Sequence, residues 1–89
     1  MVEKASIRKV KNGKLVRVKV RSESGVIENV KVTGDFFAYP EEGLEEIERE
    51  LRGVPIAKVR EVLESTAGGI TLVGVTKEDL VEMIEECLE

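Results

Sequence analysis

The sequence predicts an α+β domain: a three-stranded antiparallel sheet with three helices packed on one face. Three observations carry that reading. Strand-like alternation is confined to the first third of the chain, helical spacing of apolar residues to the remainder, and turn residues punctuate both at short intervals. A length of 89 residues favours one domain, residues 1–89, with a modest core and little room for an enclosed active site.

Asn12-Gly13 between two basic, β-branched segments predicts a hairpin, because both central residues of a type I′ turn need positive φ. Its strands span about 5–11 and 14–21. In the second, Val16, Val18 and Val20 fall on one face and Arg17, Lys19 and Arg21 on the other, the period of a sheet with one dry and one wet side. Ser22-Glu23-Ser24-Gly25 is the next turn. A third strand over 26–33 alternates Val30 and Val32 with Asn29 and Lys31, and Phe36 continues the phase of Val32.

Pro40-Glu41-Glu42 opens a helix, with proline suited to the first turn and the acids at the positive end of the dipole. Leu44, Ile47 and Leu51 form its apolar stripe, and Gly53 ends it. Pro55 starts a second helix carrying Ile56, Val59, Val62 and Leu63, broken by Ser65-Thr66-Ala67-Gly68-Gly69. The apolar run 70–73 reads as a brief fourth strand or a packed loop. Thr76 caps a last helix with Asp79 at the capping-box distance, and Leu80, Ile84, Cys87 and Leu88 line one side.

Composition narrows the function. Histidine is absent, which removes the commonest general base and metal ligand. The single cysteine excludes an internal disulfide and a cysteine-rich zinc site. Charged residues make up 36% of the chain, and Asn12 and Asn29 are its only side-chain amides, a balance found in heat-adapted proteins. No segment reads as a signal peptide or membrane span, so the expected location is the cytoplasm, with no membrane partner.

Charge divides along the chain. Residues 1–34 carry nine Lys or Arg against three acids, about +6, and residues 35–89 carry five against fifteen, about −10. Around Arg17, Lys19, Arg21 and Lys31, a solvated sheet face and a contact for an acidic protein are both open. Nucleic acid is not an expected partner, because these strand positions hold no aromatic side chains for stacking and the chain is acidic overall.

No motif supplies chemistry. Gly68-Gly69 lacks the lysine and spacing of a phosphate loop. Cys87 sits on an apolar stripe among Glu85, Glu86 and Glu89, which disfavours a thiolate. The glutamates of residues 41–50 surround an apolar stripe as a solvated helix face does. All three aromatic residues, Phe36, Phe37 and Tyr39, fall within four positions after Gly34-Asp35. Alternation assigns Phe36 to the core and Phe37 outward, where an exposed ring is a good interface anchor; a turn at Gly34 would invert that phase. Asp35 either shapes the turn or orients a partner's group.

The run from Leu15 to Val20, Gly25-Val26-Ile27 and Val30-Lys31-Val32-Thr33-Gly34-Asp35-Phe36-Phe37 resembles the C-terminal accessory domain of lipoate–protein ligases. Pro40-Glu41, the Leu44/Ile47/Leu51 helix, Leu51-Arg52-Gly53-Val54-Pro55 and Thr76-Lys77-Glu78-Asp79-Leu80 extend the likeness over nearly the whole chain. In that family the domain usually trails a large catalytic domain, but in some members the two are separate chains, and this chain looks like the small subunit of such a bipartite ligase. The resemblance implies a heterodimer with a catalytic subunit, needed for ATP-dependent activation of lipoate to lipoyl-AMP before transfer to a lysine of lipoyl-acceptor domains. It implies no catalytic or cofactor-binding residue here, with ATP, Mg and lipoate bound mainly by the partner subunit. The partner-interface candidates are Gly34, Asp35, Phe36, Phe37, Tyr39, Arg17, Lys19 and Arg21. The alternatives are a stand-alone module that binds an acidic protein through the basic sheet face, or a scaffold similar to iron–sulfur and sulfur-transfer proteins, whose cysteines have no counterpart here.

Overall fold

The computed structural model describes residues 2–10 and 14–88. Three long strands, β1 (Val2–Lys9), β2 (Leu15–Glu23) and β3 (Val26–Gly34), form an antiparallel sheet in the order β1-β2-β3. A separate two-stranded ribbon pairs β4 (Phe37–Tyr39) with β5 (Thr71–Val73). The helices are α1 (Gly43–Leu51), α2 (Val59–Ala67), entered through a 3₁₀ turn at Ile56–Lys58, and α3 (Lys77–Glu86). The predicted α+β architecture is therefore the observed one.

The period-two pattern of β2 decides which face is dry. Val16, Val18 and Val20 are fully buried, and Val30 and Val32 of β3 join them on the same side. Helix α1 lies over β3 and α3 over β1 and β2, while α2 packs against both other helices. Ile47 and Leu51 of α1, Val59 and Leu63 of α2, and Leu80, Val81, Met83 and Ile84 of α3 complete one apolar cluster, which includes Cys87. No described element covers the opposite sheet face.

Strand β1 contributes differently. Its helix-side residues opposite Val16, Val18 and Val20 are Arg8, Ser6 and Lys4. Instead of burying apolar surface there, β1 is tied to α3 by Arg8, whose guanidinium donates to Glu82 at 2.8 Å and to Glu86, with Asp79 at 3.7 Å. Arg60 ties α2 to α3 in the same way, donating to Glu85 at 2.8 Å with Glu78 at 3.5 Å.

The two sheet edges differ. The outer edge of β3 is covered: Ile27 donates its N–H to Val54 O and accepts from the Gly53 N–H, Ile56 N–H reaches Gly25 O, and the Glu48 carboxylate accepts from the Val32 N–H at 2.8 Å. No described strand pairs with the outer edge of β1.

Several element boundaries differ from expectation. The predicted Asn12-Gly13 turn lies outside the described residues; beside it Lys9 pairs with Leu15 and the Val10 N–H donates to Lys14 O, a register offset by one residue from the Lys11–Lys14 closure of the expected two-residue turn. The first strand occupies Val2–Lys9 rather than 5–11. The second turn narrows to Ser24-Gly25, with β2 running on to Glu23 past a register shift at Arg21/Ser22. Pro40 does not start a helix: it forms a turn closed by Gly43 N–H to Pro40 O, after a cis Tyr39–Pro40 bond, and α1 begins at Gly43. Helix α2 persists through Ser65 and Thr66 because Ala67 is buried against the core; it ends at Gly68. The run 70–73 does contain a strand, but it pairs with β4 rather than extending the main sheet. The Thr76/Asp79 capping box forms as expected, with both reciprocal hydrogen bonds present.

Candidate protein-docking site

The site is built where β3 ends. Gly34 has φ +154°, and a Cβ there would lie 2.4 Å from the Leu15 carbonyl oxygen and 3.0 Å from Val16 Cα. No side chain fits, so the chain can press against the start of β2, and the next N–H, of Asp35, donates to that Leu15 oxygen at 2.9 Å. This close approach holds the phase expected from the strand. Phe36 turns into the core at 8% exposure, and Phe37 stands outside at 65%. Gly74 completes the seat: at φ +96°, its missing Cβ would meet Phe36 Cβ at 3.2 Å, so β5 can leave directly over the buried ring.

Beyond this seat the ribbon displays its side chains in register. Phe37 lies opposite Val73 and Tyr39 opposite Thr71, and directly opposed residues share a face. That face is the exposed one, with Tyr39 at 56% and Val73 at 49%, whereas the Ala38–Leu72 pair between them turns inward. Two rings and a valine thus form one exposed apolar surface held on a backbone ladder. The Asp35 carboxylate, two residues before Phe37, is exposed and has no hydrogen-bond or ion-pair partner among the described residues. The turn is made by Gly34 and the Asp35 backbone instead.

The candidates therefore separate. Phe37 and Tyr39 come together on the ribbon, with Asp35 exposed two residues before it; Gly34 supports them, and Phe36 is a buried core residue. Val73 belongs to the set and was not anticipated. Its signal was present, since Thr71 and Val73 alternate as Phe37 and Tyr39 do, but a pairing between segments 34 residues apart leaves no local mark.

Arg17, Lys19 and Arg21 lie elsewhere, on the open face of the main sheet with Lys31, Ile7 and Leu15. Glu3, opposite Arg21, engages two of them: it accepts from Arg21 at 3.0 Å and lies 3.1 Å from Lys19 Nζ. These two bonds, Arg21 first, hold the Glu3 carboxyl below the usual glutamate range. Part of the basic face is thus neutralised within the fold.

The remaining groups with chemical potential are accounted for structurally. Cys87 is buried, and that burial, with Glu86 nearby, pushes its thiol up, away from nucleophilic or carrier chemistry. The described residues assemble no cluster of three or more Cys, Asp or Glu placed to hold a metal ion. No described helix is long and apolar enough to cross a membrane.

Comparison with known proteins adds three findings. The family model for the bacterial lipoate protein ligase C-terminus matches residues 3–84. The chain is 31% identical over 77 residues to "Lipoate-protein ligase A subunit 2" of Thermoplasma acidophilum, a similarity spanning 85% of this chain and 81% of that one. It also superposes with a TM-score of 0.84 at 27% identity, over 93% of this chain and 94% of the other, on a chain from a structural analysis of an archaeal lipoylation system. That system is described as a bi-partite lipoate protein ligase and its E2 lipoyl domain, from the same organism.

Proposed function

Because the chain belongs to the bacterial lipoate protein ligase C-terminal family, we propose that it is the small, non-catalytic subunit of a bipartite lipoate–protein ligase. It acts with a catalytic subunit in the ATP-dependent conversion of lipoate to lipoyl-AMP, before the lipoyl group passes to a lysine of an acceptor domain. The observation that carries this reading is the likeness to a ligase subunit 2 along most of both chains. ATP, Mg and lipoate are bound mainly by the catalytic subunit. This chain contributes position: held against the catalytic subunit, it fixes the loops around the adenylate in a productive geometry, an effect that supplies up to several kcal/mol of barrier reduction.

The alternatives find less support. A sulfur or iron–sulfur carrier would need an accessible thiol, and Cys87 is buried. A stand-alone module for acidic proteins would rest on the basic face, which Glu3 partly neutralises.

The test is direct. The catalytic subunit is assayed for lipoate- and ATP-dependent pyrophosphate release with and without this chain. A rate that rises with added chain to a plateau is expected; equal rates would refute the reading.

A further inference from the structure

The ribbon and the open sheet face offer a partner two different kinds of surface, and we propose that the catalytic subunit docks on the ribbon. Its contact there is an apolar patch carrying an Arg or Lys that pairs with Asp35. This inference rests on the function proposed above for the identity of the partner, and on the geometry for the surface.

The argument starts from what the fold leaves unsatisfied. Phe37, Tyr39 and Val73 face the same way across a hydrogen-bonded ladder, so the backbone that presents the rings is already fixed before a partner arrives. Anchors on a pre-formed backbone lose only side-chain freedom on binding, and aromatic residues are prominent among interface anchors. The core does not need these rings, because Phe36, Ala38 and Leu72 already seat the ribbon. Two residues before Phe37, the exposed Asp35 carries a charge that no described residue answers, as do solvent-facing glutamates of α1 such as Glu45 and Glu50. The acids that tie the other elements together are engaged: Asp79, Glu82 and Glu86 with Arg8, Glu85 with Arg60, Glu48 with the Val32 N–H, and Glu3 with Lys19 and Arg21. The complement of Phe37, Tyr39, Val73 and Asp35 is therefore an apolar patch with a cation at its margin. The open sheet face has the opposite character. Its lysines and arginines, set around the exposed Ile7 and Leu15 and partly paired with Glu3, suit weaker, salt-sensitive encounters.

The test titrates this chain into the catalytic subunit, reading pyrophosphate release and, independently, binding by calorimetry. Phe37→Ala raises both the dissociation constant and the concentration for half-maximal stimulation by roughly 30-fold, the loss expected of an interface anchor. The plateau rate stays the same, and the melting temperature moves by no more than about 2 °C. Asp35→Lys weakens binding more than Asp35→Asn, whereas Lys31→Glu on the open face leaves the half-maximal concentration within about twofold. If Phe37→Ala, Val73→Ala and Asp35→Lys all bind as the wild type does, the ribbon is not the docking surface, although stimulation by the wild type still supports the function. If Lys31→Glu abolishes binding and the ribbon variants do not, the open face is the interface. If the wild type binds through the ribbon without stimulating, the docking assignment stands and the activating role fails.

Discussion

Neighbouring residues at the end of β3 have opposite duties, and substitution separates them. Phe36→Ala opens a cavity under the ribbon and should cost about 3–5 kcal/mol of stability, measured by denaturant unfolding. Phe37→Ala, with its ring in solvent, should stay within about 0.5 kcal/mol of wild type in the same measurement. Gly34→Ala meets both a left-handed backbone and the Leu15 carbonyl oxygen at 2.4 Å. A loss of at least about 2 kcal/mol is expected, lowering the melting temperature by roughly 10 °C. The inward turn of Phe36 was legible because alternation carried through Gly34 unbroken. The need for glycine itself was not, since it arises from a contact with the start of another strand, nineteen residues earlier in the chain.

Among the elements, sequence reading succeeded where the pattern was local and missed where the partner was distant. The valine alternation of β2, the Ile47/Leu51 stripe of α1 and the Thr76/Asp79 cap of α3 all appear as read. A brief strand over 70–73 is one of two readings of that run, but β4 and its pairing with β5 did not emerge, because three residues carry too little periodicity to identify a distant partner. The proline start of α1 failed for a related reason: Pro40 serves a turn linking ribbon to helix, a demand set by the ribbon. Helix α3 is held at both ends by different means, and each is measurable. Thr76→Ala should cost about 1 kcal/mol through the lost cap. Arg8→Ala should cost about 1 kcal/mol at low salt, and less as salt rises, because it removes the charged tie between β1 and three acids of α3. Unfolding in low and high salt checks the second; the first should be nearly salt-independent.

Across the whole molecule, the division between a basic first third and an acidic remainder is partly resolved by folding. Arg8 crosses from one charge territory to the other, and Glu3 is the acid that β1 sets among the basic residues of the sheet face. Glu3 has a lowered folded-state pKa, so its contribution is fully present above the unfolded glutamate value and is lost as pH falls through the folded one. As pH falls below about 5, through the ordinary glutamate range and on through the lowered folded value, the wild type should therefore lose more stability than Glu3→Gln, as followed by melting temperature. The total charge asymmetry was legible from composition; which acids face which bases depended on strand register. The contrast between the two edges of the main sheet has one more consequence. Growth of a sheet from copy to copy needs two open rims on each copy, one to receive and one to offer. Here one rim is sealed by Glu48, Val54 and Gly53, so pairing through β1 ends at two copies. Any association by this route stops at a closed pair, and no fibre can grow from it.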